Sequence, residues 1–224
     1  MMKHTVTSFV FFGILGLSCS QGSLISSEER PATENEISQT VIPAPKGVTF
    51  EAFRTAFTEL KLPLSIPALD SGWIQNRQPL PNNLATKFYD PDSAAKYYAI
   101  GRFLKDEREF FIIRKTVKSA EQYYAKIYLV SFNKDKKVND SELIGGYEYI
   151  DFDKVPTLTR NQALDGYNEA YYTWNSTITE EAEIKVEPAV SFFNSENNEV
   201  QHVSKGNYAL ELLANGLIDK VRNK

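Results

Sequence analysis

From Lys96 onward the chain is built of short aromatic and β-branched runs, and one of them alternates cleanly. In YAKIYLVSFN (124–133), Ala125, Ile127, Leu129 and Ser131 fall on one parity, and Tyr124, Lys126, Tyr128, Val130 and Phe132 on the other. Period-two patterning of this kind specifies a half-buried strand with one wet face. KYYAIGRFL (96–104) and REFFIIRKTV (108–117) precede it, with LKDERE and NKDKKVND as charged turns. Further strands are expected at SELIGGYEYI, AYYTWNSTI, AEIKVEPAVSFF and EVQHVS. Tyrosine doublets at 97–98, 123–124 and 171–172 fall at strand starts, where adjacent rings go to opposite faces. Their spacing is unequal, so they mark no repeat array.

Ahead of the strands, Phe50, Phe53, Phe57 and Leu60 recur at steps of three and four, which predicts one amphipathic helix with Thr49 as N-cap, Glu51 in the first turn and Pro63 as its end. Residues 63–92 carry five prolines and read as an irregular connection with short helical or extended pieces at most. The tail, NYALELLANGLIDKVR (207–222), has leucines that suit a helix. Its Asn215-Gly216 pair favours a hairpin with φ > 0 at both positions, and the hairpin is the expectation. The fold class expected is α+β, mainly β: one N-terminal helix packed on a curved antiparallel sheet of about six to eight strands.

The N-terminus carries a different kind of information. Lys3 precedes Val6–Leu17, twelve uncharged and largely apolar residues. That block suits a secretory leader and is too short to span a bilayer, which takes about 18–20 residues. The composition then turns polar, so residues 1–18 read as a signal peptide, 19–46 as a lipidated start and flexible tether, and 47–224 as one globular domain. Cys19, the single cysteine, follows LGLS. This segment resembles a bacterial lipobox: Ser18 fits the small position before the cysteine, although Gly16 stands where that motif has leucine. Acylation of Cys19 is the expectation, with ordinary cleavage to a secreted protein as the alternative.

The order of parts (cysteine, tether, FEAFRTAFTELKLPL and the β-meander to residue 144) resembles small uncharacterised lipoproteins of Bacteroidota-type bacteria over roughly residues 1–150. The resemblance implies a lipid-anchored protein of the cell envelope, in the outer membrane of a Gram-negative bacterium. It supplies no catalytic residues.

With no second cysteine, neither an intramolecular disulfide nor a thiolate metal site can form, so stability rests on a hydrophobic core; 42% hydrophobic residues with 14 Phe and 12 Tyr suffice for one. The net charge of −4 argues against non-specific nucleic-acid binding, and no nucleic-acid partner is expected. Beyond the leader the only histidine is His202, too few for a His-based zinc site or an evident Ser–His–Asp set. Asp90/Asp92 and Asp135/Asp140 lack the glycine and closing glutamate of a calcium loop. Gly145-Gly146 lacks the remainder of any phosphate loop and reads as a bulge or turn. Glu180, Glu181 and Glu183 form the densest acidic cluster and read as a solvated turn. No catalytic residue, cofactor or metal is assigned. Asp92-Ser93-Ala94 resembles a short bacterial O-glycosylation signal, which makes Ser93 a candidate acceptor.

The functional expectation is a non-enzymatic interaction or ligand-binding module, held at the membrane through Cys19 and meeting an unknown envelope protein or glycan through outward aromatics. The first alternative is a carrier holding an apolar ligand between helix and curved sheet; a Phe-lined groove there, as against packed rings, would favour it. The second is a hydrolase using two carboxylates in a cleft.

Overall fold

A computed structural model describes residues 47–69, 77–119, 122–155 and 164–222; the segments expected to be a signal peptide and a tether, with Cys19, lie outside these described residues. The expectation of a mainly β, antiparallel domain holds, and its detail needs correcting. Among the described residues the sheet has eleven strands rather than six to eight, and two small helices accompany it rather than one. In chain order these are α1 (Phe50–Thr55), β1 (Leu64–Ile66), β2 (Pro79–Leu80), α2 (Asn82–Phe88), β3 (Lys96–Lys105), β4 (Arg108–Lys118), β5 (Gln122–Phe132), β6 (Val138–Asp151), β7 (Glu169–Ile178), β8 (Ile184–Asn194), β9 (Glu199–Ser204), β10 (Tyr208–Leu212) and β11 (Ile218–Arg222). Strands β2 to β8 follow one another in sequence order across the sheet; β10 and β11 complete one edge, β9 also pairs with β8, and β1 pairs with β7. The extra strands are the short ones, β1, β2 and the terminal pair.

Side-chain alternation builds two cores on the two faces of β3–β5. Face one carries Ile112 of β4 with Ile127 and Leu129 of β5. They pack with Ile66, Ile144, Ile178, Ile184, Leu210 and Ile218, so the distant strands β7, β8, β10 and β11 share a core with β3–β6 and the sheet curls. Face two carries Tyr97, Ala99, Phe111, Ile113 and Val130, covered by Phe53 and Phe57 from the α1 region and by Leu84 and Ala85 of α2. The face of β5 expected to be wet is therefore dry over half its length: Val130 is fully buried under the helices. A third cluster, Ile150, Phe152, Ala170, Val190 and Phe192, lies at the other end of β6–β8.

α1 forms where expected. Thr49 Oγ1 accepts from the Ala52 N–H at 3.1 Å, and Glu51 sits in the first turn. The helix nevertheless ends at Thr55, short of Pro63. The reason is the bare edge of β3 past β2: Arg102 N–H donates to Thr58 O and Leu60 N–H to Arg102 O, so residues 58–60 run extended along that edge. Unpaired strand groups there outcompete another helical turn. Glu109 clamps the helix to the sheet, accepting both oxygens' bonds from Arg54 Nε (2.9 and 2.7 Å) and one from Arg102 at 2.5 Å.

The C-terminal segment is a hairpin, as expected, with a different turn. The Leu213–Leu217 loop places only Gly216 at positive φ (86°), giving a three-residue loop rather than a two-residue one. Asn133–Lys137 and Thr179–Glu183 repeat this pattern with Lys136 and Ala182 in the left-handed position. Between β3 and β4 the turn is two residues, with Asp106 at φ 49° and Glu107 at φ 64°. A side chain in that region costs about 1 kcal/mol relative to glycine. Glu107→Gly is accordingly expected to raise the unfolding free energy by about 1 kcal/mol, measured by urea denaturation; an unchanged midpoint would show that the turn carries no strain.

Candidate functional site: a tyrosine face

Beyond the first core, face one of the sheet continues as a polar and aromatic surface. Register places Lys118, Tyr123, Tyr149, Tyr171, Ser191 and His202 in one row across β4, β5, β6, β7, β8 and β9. The next row holds Lys96, Thr116, Ala125, Tyr147 and Thr173. Four tyrosines thus stand together on three adjacent strands, each partly exposed. Tyr147 Oη donates to Tyr123 Oη at 3.0 Å. The Tyr147 and Tyr171 rings stack at 5.6 Å with 21° between planes, and Tyr123 and Tyr147 lie 5.5 Å apart. Rings in mutual contact hold one another's rotamers, so the row of hydroxyls is fixed before anything binds.

The position of this face depends on Gly145 and Gly146, the expected bulge. Register between β5 and β6 shifts between Ile127 and Tyr128, and Gly146 adopts φ 100°. A Cβ on Gly146 would lie 2.0 Å from the Ala125 carbonyl oxygen. Beyond the bulge β6 parts from β7, and β1 takes the vacated edge, pairing Leu64 with Ile178 and Ile66 with Ser176.

Burial raises the Tyr147 hydroxyl well above its ordinary value, assisted by its bond to Tyr123, while the nearby Arg114 charge opposes the shift. Burial, then the Glu169 carboxylate, pushes Tyr149 up to about 12. Burial likewise raises Tyr171.

Residues singled out in the sequence fall mainly elsewhere. Asp90 and Asp92 both clasp Lys115 Nζ, at 2.7 and 2.9 Å. Ser93 is exposed in the turn between them and β3, with Asp92 Oδ1 accepting from Ala94 N–H at 3.0 Å. Asp135 is exposed in the β5–β6 turn, whereas Asp140 Oδ2 accepts from Ile218 N–H at 2.8 Å and ties the terminal hairpin to β6. Glu180 and Glu181 are exposed in the β7–β8 turn, with Glu183 at its end. His202 Nδ1 hydrogen-bonds Ser191 Oγ at 2.7 Å at the rim of the tyrosine face. Among the described residues no three His, Cys, Asp or Glu gather as a metal site, and no described helix is long and apolar enough to cross a membrane.

Sequence reasoning pointed to outward aromatics without naming them. The doublets mark Tyr123 and Tyr171; Tyr147 and Tyr149 join them only through register, which is not readable from one strand at a time. No protein-family model, curated protein or solved structure matches the chain, so the argument for function rests on this geometry.

Because Tyr149 ionises later when folded than when unfolded, its contribution to stability is full below about pH 10 and is lost as pH rises through about 12, and Tyr147 and Tyr171 shift in the same direction. Urea midpoints should fall between pH 9.5 and 11.5 by the linkage relation, and Tyr149→Phe should shallow the slope. A flat profile would mean that these hydroxyls are freely solvated.

Proposed function

We propose that the protein is a cell-envelope lipoprotein, anchored at the outer membrane through acylated Cys19, whose body acts as a non-enzymatic binding module. The tyrosine face is the observation that carries this reading. Four part-exposed tyrosines on internal strands, with Tyr123, Tyr147 and Tyr171 held by ring contacts and the Tyr147–Tyr123 hydrogen bond, form a rigid recognition surface. The polar segment 20–46 then serves as the tether that holds the body away from the lipid, and the exposed Ser93 is the candidate point of glycosylation.

The carrier alternative calls for space between helix and sheet. There the rings of Phe50 and Phe53 lie 5.1–6.3 Å from those of Phe111 and Phe132, and Phe57 lies 5.1 Å from Phe111, a packed contact that favours the binding-module reading. The hydrolase alternative calls for two carboxylates facing a cleft. Asp90, Asp92 and Glu109 are instead engaged with lysine or arginine.

Two experiments test the proposal. Cells fed an alkyne-tagged fatty acid should label the wild type and leave Cys19→Ala unlabelled; equal labelling would remove the anchor. A photo-reactive amino acid replacing Tyr171 in the full-length chain should give an adduct of constant mass on intact cells, and one replacing the exposed Lys185 should not. Identical patterns at the two sites would dismiss the tyrosine face as the binding surface.

A further inference from the structure

β4 crosses the tyrosine face with Arg114, Thr116 and Lys118 at alternate positions, and β3 sets Tyr98 opposite Arg114 and Lys96 opposite Thr116. Three cations therefore surround one threonine. Among the described residues, none of the three forms an ion pair. The contrast lies within one strand: Lys115, on the other face of β4, is held by two carboxylates.

Arg114 is partly buried, and its guanidinium lies 5.6 Å from the Tyr98 ring centre. Among the described residues its fully shielded Nε has no acceptor, and the shielded Thr116 hydroxyl, two residues along, has no partner. Shielded donors of a charged group ordinarily have a partner. Here two neighbouring side chains lack one, in a cluster of like charge. The acidic groups that register places on this face stand away from the three cations: Asp151, bound by Lys154 at 2.6 Å, and Glu169, beside Tyr149, in the row beyond Tyr149 and Tyr171, and the exposed Glu187 on β8 opposite Asn175.

We infer that this corner of the face binds an acidic saccharide, its carboxylate or phosphate meeting the terminal guanidinium nitrogens of Arg114 and its hydroxyls meeting those of the adjacent tyrosines and Thr173. The inference rests on the binding-module reading and deepens it. A planar guanidinium matches an oxyanion through two parallel hydrogen bonds, with Lys96 and Lys118 adding charge at the rim. Tyr123, Tyr147 and Thr173 offer both donors and acceptors, as sugar hydroxyls require. β4, β5 and β6 are internal strands whose backbone groups pair with neighbours, so an acidic peptide has no edge to extend here.

The test is an NMR titration of the detergent-solubilised full-length chain, labelled with ¹⁵N-arginine, against glucuronate, glucose 6-phosphate and glucose. The Arg114 Nε–Hε signal, assigned by its absence in Arg114→Lys, should shift with one or both acidic sugars; whichever binds more tightly identifies the oxyanion. Glucose should bind at least about tenfold more weakly, as expected from loss of a charge-assisted pair. Arg114→Gln should weaken acidic-sugar binding about tenfold, and Lys185→Gln should leave it unchanged. Should Arg114→Gln not fold, Lys96→Gln/Lys118→Gln, which alters exposed side chains only, should still weaken binding several-fold by reducing local charge. Equal binding of glucose and glucuronate would overturn the preference for an oxyanion while leaving the tyrosine face a binding surface. Silence of all three sugars beside a specific adduct at position 171 would overturn the saccharide and leave the module reading with a protein partner. Silence together with no such adduct would overturn both.

Discussion

The architecture depends on one backbone contact: the close approach of β6 to β5 at Gly146, where any Cβ would stand 2.0 Å from the Ala125 carbonyl. Only glycine tolerates both that approach and the positive φ. The bulge lets β6 leave β7 partway along its length. One half of β6 stays in the broad sheet that displays the tyrosines; the other half lies over the first core, which needs β1 to fill the edge that β6 gives up. Display surface and core thus share strands, and a single bend separates them.

The two faces of β4 show how the same strand serves different ends. Phe111 and Ile113 lie under the helices and Lys115 is neutralised by Asp90 and Asp92, a fully satisfied side. Across the backbone, Ile112 enters the first core, while Arg114, Thr116 and Lys118 continue toward the tyrosines without carboxylate partners. Burying an arginine beside aromatics with no counterion runs against the rule that shielded charges are paired. Local departures from such rules are expected to mark function more than fold.

Much of the fold was legible in the sequence because its signal is local. Period-two runs place β3 to β9 within a few residues, and Thr49 and Asn215-Gly216 correctly mark a helix start and a hairpin turn. What was missed depends on distant partners. β1 is three residues of the Leu62–Ile66 region, unremarkable until the free edge of β7 is known. The helix stops at Thr55 because β3 claims residues 58–60, a demand that no propensity encodes. Val130 and Phe132 read as one side of a strand with a wet face, yet α1 covers them. In the candidate site the doublets flagged two tyrosines. The polar spacing Arg114, Thr116, Lys118 within an apolar strand was the available signal for the cations, and it became informative only once the absence of facing carboxylates was known.

The pairing of Leu64 with Ile178 joins residues more than a hundred positions apart in the chain. During synthesis β1 therefore waits for β7 before its edge is paired. β3 to β6 can form successive hairpins as they emerge, but the first core remains open on one side until β7 and the terminal hairpin arrive. A chain made N-terminus first spends that interval with Ile66, Ile127 and Ile144 uncovered, and non-local closure of this kind is slow. β1, among the earliest strands to be made, is thus among the last to be locked in place.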